Sequence, residues 1–73
     1  MIGLSKEKLE QLRNRFPKGT RVRIISMDDP QSPPPGTEGE VIMTDDIGTV
    51  HVALDTGSTL GAIYGVDEIV PLN

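Results

Sequence analysis

The sequence contains no cysteine and no tryptophan, and only one histidine, one tyrosine and one phenylalanine. Without cysteine there is no disulfide staple, and a single histidine excludes a zinc site built from several Cys and His ligands. The composition fits a reducing cytoplasm, which is the expected location. With Phe16 and Tyr64 as the whole aromatic complement, the walls of a proline-peptide groove and the stacking platform of a single-stranded nucleic-acid module are missing. No apolar run approaches the ~20 residues that span a bilayer, and residues 1–4 lack the basic start, apolar stretch and cleavage site of a signal peptide. Neither membrane insertion nor export is expected.

What is present is a chain of 73 residues, room for one domain over 1–73 with one core. A domain of this size hides only about 60% of the surface its unfolded chain exposes, so its stability is expected to be marginal. The net charge of -4 argues mildly against indiscriminate nucleic-acid binding, which depends on cations displacing counterions from phosphates. The charge is also segregated. All seven basic residues (Lys6, Lys8, Arg13, Arg15, Lys18, Arg21, Arg23) precede Ile24 with only Glu7 and Glu10 against them, and nine acids follow with no Lys or Arg. Either the basic segment packs on the acidic remainder, within the molecule or across a homodimer, or it forms a basic face held out for an acidic partner.

Ser5 is placed as an N-cap, with Leu4 before it and Leu9 after it in a hydrophobic-staple pattern. Leu9, Leu12 and Phe16 recur at helical spacing, and Phe16-Pro17-Lys18-Gly19 stops the element, because a residue before proline avoids the α region. The spacing predicts a helix over 5–16. At ~100° per residue, Lys6 and Arg13 fall on one flank of the apolar stripe and Lys8 and Arg15 on the other, where long basic side chains reach neighbouring carboxylates.

After Gly19 the period changes to two. Val22 and Ile24 alternate with Arg21 and Arg23; Val41 and Met43 with Glu40, Ile42 and Thr44; Val50, Val52 and Leu54 with Thr49, His51 and Ala53; Leu60 and Ala62 follow. A three-residue loop Asp55-Thr56-Gly57, with a left-handed Gly57, pairs Val52 with Leu60 and Val50 with Ala62 and keeps the apolar side chains on one face. Glu68-Ile69-Val70 reads as a closing strand, and a single helical turn fits Tyr64 to Asp67. Met27 to Gly36 is the one long connection, stiffened by Pro30, Pro33, Pro34 and Pro35. The expected fold class is mainly β: a small SH3-like five-stranded barrel over 19–72, closed so that its edges are removed, with one N-terminal helix.

The spacings Gly19-x-x-Val22-x-Ile24 and Pro35-Gly36-x-x-Gly39-x-Val41 resemble the strand-loop-strand opening of SH3-like barrels such as the KOW and CAP-Gly types. Over about 16–70, the motifs Phe16-Pro17-x-Gly19, Met27-Asp28-Asp29-Pro30, Pro34-Pro35-Gly36-Thr37-x-Gly39-x-Val41, Asp45-Asp46-Ile47-Gly48-Thr49-x-His51-Val52, Leu54-Asp55-x-Gly57-Ser58-x-Leu60 and Gly65-Val66-Asp67 resemble an uncharacterised small-domain family. This is a domain of unknown function from Gram-positive bacteria, their phages and mobile elements. The resemblance implies no activity. Family members often carry tryptophan before the equivalent of Asp55, where this chain has Leu54, so no aromatic is expected to read a ligand there.

Chemistry-bearing residues are few. His51 falls on the face opposite Val50 and Val52, and Asp28, Asp29, Asp46 and Asp55 lie at strand ends, where a His-Asp pair would serve as an acid-base centre or a polar anchor. There is no cysteine, glycine-flanked serine nucleophile or phosphate loop, so no catalytic residue is assigned and the reading is non-enzymatic. The aspartate spacing matches no EF-hand loop, and Asp before Pro or in Asp-x-Gly is a routine turn former, so neither metal nor cofactor is expected. Pro30-Gln31-Ser32-Pro33 is formally a PxxP segment, but a short rigid loop explains the same residues. The expected function is a protein-binding module, an adaptor or inhibitor, using Asp28, Asp29 and Pro30 with His51 and Asp55. Two alternatives stand: a KOW-like nucleic-acid contact through Lys18, Arg21 and Arg23, and a small oligomer that sequesters a small ligand. The expected state is a monomer or homodimer.

Overall fold

The computed structural model describes residues 4–72; Met1 to Gly3 and Asn73, the ends of the expected 1–73 domain, lie outside the described residues. Helix α1 spans Lys6–Arg15 and is followed by strands β1 (Arg21–Ser26), β2 (Glu38–Thr44), β3 (Thr49–Leu54), β4 (Thr59–Ile63) and β5 (Glu68–Pro71). No helix among the described residues is long and apolar enough to cross a membrane.

Ser5 and Phe16, the expected helix ends, are its caps. Ser5 is extended and its Oγ accepts from the Lys8 amide at 3.2 Å, while the Phe16 amide donates to the Leu12 carbonyl. Glu7 in the first turn and Arg13 and Arg15 in the last complement the helix dipole. Of the expected stripe, Leu12 and Phe16 enter the core, whereas Leu9 is half-buried and not part of it. Leu4 packs against the core and lies over Gly48, where a Cβ would come within 2.7 Å of Leu4 Cδ1.

The strands form one antiparallel sheet in the order β4-β3-β2-β1-β5: a meander of four, with β5 returning to the far side of β1. The sheet is not closed into the expected barrel, since β4 and β5 are its two edges and share no ladder among the described residues. The reason lies in the groups at that seam. The Ile63 amide, on the free side of β4, donates instead to the Asp67 carboxylate at 2.9 Å, and Pro71 on β5 has no N–H to offer. Val22, Ile24, Val41, Val50, Val52, Leu54, Ala62 and Ile69 point inward and bury with Leu12 and Phe16 of α1. Full burial of a side chain such as Ile24 contributes roughly 1.5–3 kcal/mol.

Alternation holds in β3 and, as far as Ile24, in β1, where the register with β5 shifts between Ile24 and Ser26, and it fails in β2. A bulge between Val41 and Met43 shifts the register, so that Val41 pairs with Val52 but Met43 pairs with His51 and Thr44 with Val50. Met43, expected inside, is therefore 49% exposed, and Thr44, expected outside, is buried at 8%. The β3–β4 hairpin has the expected register, Val52 opposite Leu60 and Val50 opposite Ala62. Its three-residue loop closes through the Leu54 amide on the Ser58 carbonyl, and Gly57 has φ +101°, the left-handed conformation that glycine adopts without a Cβ penalty. The Tyr64–Asp67 segment is a single turn closed as one turn of helix would be, the Val66 and Asp67 amides both donating to the Ile63 carbonyl, but Gly65 at φ +82° departs from helical backbone.

Candidate functional site

The outer face of β1 and β2 gathers charge because of register. Antiparallel pairing sets Arg21 opposite Glu40 and Arg23 opposite Glu38. Arg23 donates through Nε and Nη2 to Glu38 at 3.1 and 2.9 Å, and Arg21 grips the Asp55 carboxylate in a two-pronged pair. That hydrogen bond raises the Arg21 pKa and holds the Asp55 carboxyl below the ordinary carboxylate range. On the helix, Arg13 binds Asp46 at 2.8 Å. The basic segment is thus docked on the acidic remainder through Arg13, Arg21 and Arg23. Of the three residues expected to touch nucleic acid, Arg21 and Arg23 are engaged in this way, and Lys18 has no ion pair among the described residues.

His51 does lie on the outer face, between Met43 on β2 and Gly61 on β4. Its partner is Asp45, which sequence reasoning missed, and none of Asp28, Asp29, Asp46 or Asp55. Nε2 stands 2.9 Å from Asp45 Oδ2, while Asp45 Oδ1 accepts from the Ile47 and Thr49 amides. The His51 hydrogen bond first, then the Thr49 amide, hold the Asp45 carboxyl below its ordinary range. The arrangement fastens the β2–β3 turn with side chains that are 41% and 28% exposed. The available signal was the turn itself: an aspartate two residues before Ile47, at a position that caps successive amides.

The long loop is held by a second carboxylate, Asp67, which the sequence reading placed in a turn without a binding role. Asp67 takes the Ile63 amide on one oxygen and the Asp28 amide on the other, both at 2.9 Å, tying the loop to the β4–β5 turn. Asp29 orders the loop locally by accepting from the Gln31 amide, and Pro30 lines a shallow depression with Ile25 and the later prolines. Asp28 and Asp29 border a second hollow whose other wall is Gly61, Ile63 and Val66. The expected site therefore divides. Asp28, Asp29 and Pro30 sit beside the β4–β5 turn, whereas no hydrogen bond among the described residues links them to His51 or Asp55.

Beside that loop lies an apolar surface the sequence reading left out. Ile63, Tyr64 and Val66 are 48%, 46% and 52% exposed, and Tyr64 donates its amide to Gly48, next to the still more exposed Ile47. On the helix side of the turn, the open seam between β4 and β5 leaves a cleft of about 140 Å³ whose floor is Leu12, Phe16, Val50, Ala62 and Ile69 and whose lip carries Arg15 and Tyr64. Its trace in the sequence is Ile63-Tyr64-Gly65-Val66, three apolar side chains at the end of β4 and in the turn after it, where polar residues are the rule. Among the described residues, no three His, Cys, Asp or Glu side chains converge as metal ligands. The curated proteins contain no match to the chain. A family model matches residues 5–72, and the chain belongs to that family, DUF4314, a domain of unknown function.

Proposed function

We propose that this domain is a non-enzymatic, cytoplasmic protein-binding module, an adaptor or inhibitor with SH3-like strand connectivity, that engages its partner through the β4–β5 turn and the neighbouring Asp28–Pro30 loop. The observation that carries the proposal is the exposed cluster Ile63, Tyr64 and Val66, apolar residues presented on a turn anchored by Asp67. Contiguous exposed apolar side chains rimmed by polar groups are a mark of protein interaction surfaces. The strand order, with β5 returning to β1, supports the SH3-like reading, with the long β1–β2 connection where such domains carry theirs. The charged groups support binding over catalysis, since Asp55, His51 and Asp45 are engaged in internal bonds. The resemblance to a phage and mobile-element family makes a host protein the partner to seek.

A pull-down from the natural host tests this. Tagged wild type is expected to retain a protein that Val66→Asp and Tyr64→Ala lose and that Asp29→Ala retains less well, with all variants folded by circular dichroism. Unaltered capture by Val66→Asp and Tyr64→Ala, or capture of nucleic acid alone at ~50 mM salt, where phosphate contacts are strongest, would overturn the proposal.

A further inference from the structure

We infer that the cleft between α1 and the β4–β5 turn receives one aromatic or leucine-sized side chain of a partner segment that carries carboxylates beside it, and that Arg15 and Lys8 bind those carboxylates. This deepens the protein-binding reading above and rests on it.

Size and lining set the anchor. The cleft holds about 140 Å³, and an apolar cavity of ~150 Å³ accommodates benzene. Its floor is core hydrocarbon, almost fully buried and reached through the seam where β4 and β5 share no ladder among the described residues. Tyr64 at the lip provides a ring edge or face for an aromatic guest.

Charge sets what lies beside the anchor. A second hollow of about 180 Å³, lined by Lys8, Gln11, Leu12, Arg15 and Tyr64, shares three of those residues with the cleft, so the two form one track along the helix. Lys8 and Arg15 stand about two turns, ~10 Å, apart along it. The structure matches Arg13, Arg21 and Arg23 with acids, yet among the described residues no carboxylate pairs with Lys8 or Arg15. The Arg15 guanidinium lies over the Phe16 ring, 5.1 Å from its centroid, which stations it at the lip with no salt bridge among the described residues. On the opposite wall stand two carboxylates, Asp67, whose oxygens hold backbone amides, and Glu68, with no ion pair among the described residues, so a guest carboxylate turns toward the helix and away from both. Two cations beside a hydrocarbon floor favour an acidic, apolar peptide over a phosphate backbone, which needs a longer basic track.

The test is a chemical-shift titration of the 15N-labelled domain with three blocked peptides, acetyl-Gly-Glu-Phe-Glu-Gly-amide and its analogues with Lys for both Glu or Ala for Phe, and with a thymidine octamer. The Glu-Phe-Glu peptide is expected to bind with Kd on the order of 1 mM, shifting the amides of Gln11 to Phe16 and Ile63 to Ile69. The Lys analogue should bind about tenfold more weakly and the Ala analogue should show no saturable shift. Arg15→Glu, a change at an exposed helical position, should reverse the preference between the Glu and Lys peptides, and Glu68→Gln should tighten the acidic one about twofold. Equal affinity for the Glu and Lys peptides, shifts outside the cleft, or tighter binding of the octamer would overturn the inference. If the acidic peptide binds while host capture survives Val66→Asp and Tyr64→Ala, the functional proposal fails and the cleft stands. If capture depends on Val66 and is indifferent to Arg15→Glu, the cleft fails and the functional proposal stands.

Discussion

Replacing Thr44 by valine should stabilise this domain by about 1–2 kcal/mol. The β2 bulge turns Thr44 inward opposite Val50, where it is 8% exposed and its Oγ1 has no hydrogen-bond partner. A buried hydroxyl without a partner costs about 1–3 kcal/mol by mutational measures. Valine has the same branched shape, so no cavity opens, and the methyl in place of the hydroxyl adds up to about 0.8 kcal/mol of apolar burial. The lower figure allows for imperfect accommodation of the methyl. In a chain of 73 residues, each kcal/mol corresponds to roughly 4–8 °C in Tm, so a rise of roughly 4–16 °C is expected. The assay is urea and thermal unfolding followed by far-UV circular dichroism, with two controls. Thr44→Ser keeps the hydroxyl and removes the methyl, and should cost about 1 kcal/mol. Met43→Thr, which under unbroken alternation would excavate the core at about 2–5 kcal/mol, should stay within about 0.5 kcal/mol because the bulge carries Met43 outside. A neutral Thr44→Val together with a strongly destabilising Met43→Thr would refute the bulge and the inward Thr44 with it.

Gly39→Ala should destabilise by about 3 kcal/mol in urea unfolding, because the new Cβ would meet the Ala53 carbonyl at 2.6 Å and Val52 Cγ1 at 2.7 Å; an unchanged midpoint would contradict the close approach of β2 to β3. Asp67→Ala should accelerate hydrogen exchange at the Ile63 and Asp28 amides about tenfold and open the proline loop to protease, whereas unchanged exchange at both amides would rule out the clamp. Asp45→Asn should flatten the acid limb of the stability profile. The Asp45 carboxyl is held below its ordinary range by His51 and the Thr49 amide, so its contribution is fully present above that range and disappears as pH falls through the folded-state value. A stability difference between wild type and Asp45→Asn that stays constant from neutral into acid pH would refute it.

The elements were legible where one period ran unbroken. Val22 and Ile24 against Arg21 and Arg23, and Val50, Val52 and Leu54 against Thr49, His51 and Ala53, each have one buried side and one wet side, and the Gly57 loop fixed the β3–β4 register. In β2 a single inserted residue changed the answer for two side chains, and a bulge leaves no mark in an apolar run such as Val41-Ile42-Met43, where either side chain suits a core. Closure was not legible either, because it depends on whether two edges meet in space. The Asp67 carboxylate that occupies the Ile63 amide lies four residues along the chain, and in sequence it reads as an ordinary turn acid. The site was half legible for a related reason. Composition flagged His51 and the loop aspartates as chemically capable, but a polar group's availability depends on its neighbours, and Asp45 and Asp67 were found only through the amides they bind.

The segregated charge carries the last step. Seven cations ahead of an acidic remainder suggested either internal docking or a basic face, and the two readings divide the same residues between them. Strand period puts Arg21 and Arg23 outward, and antiparallel pairing brings Glu38 and Asp55 within their reach. Helix period puts Arg13 on the flank that meets Asp46 and leaves Lys8 and Arg15 on the other. Exposed pairs of this kind each contribute little to stability, yet a phosphate approaching Arg21 or Arg23 must displace a carboxylate already in place, so the net gain from each contact shrinks. A carboxylate approaching Arg15 displaces none. Of the four cations that the internal pairing leaves over among the described residues, Lys6, Lys8, Arg15 and Lys18, Arg15 borders the apolar cleft and Lys8 the hollow beside it, and that coincidence of free charge with hydrocarbon makes an acidic segment with one large apolar side chain the ligand to test first.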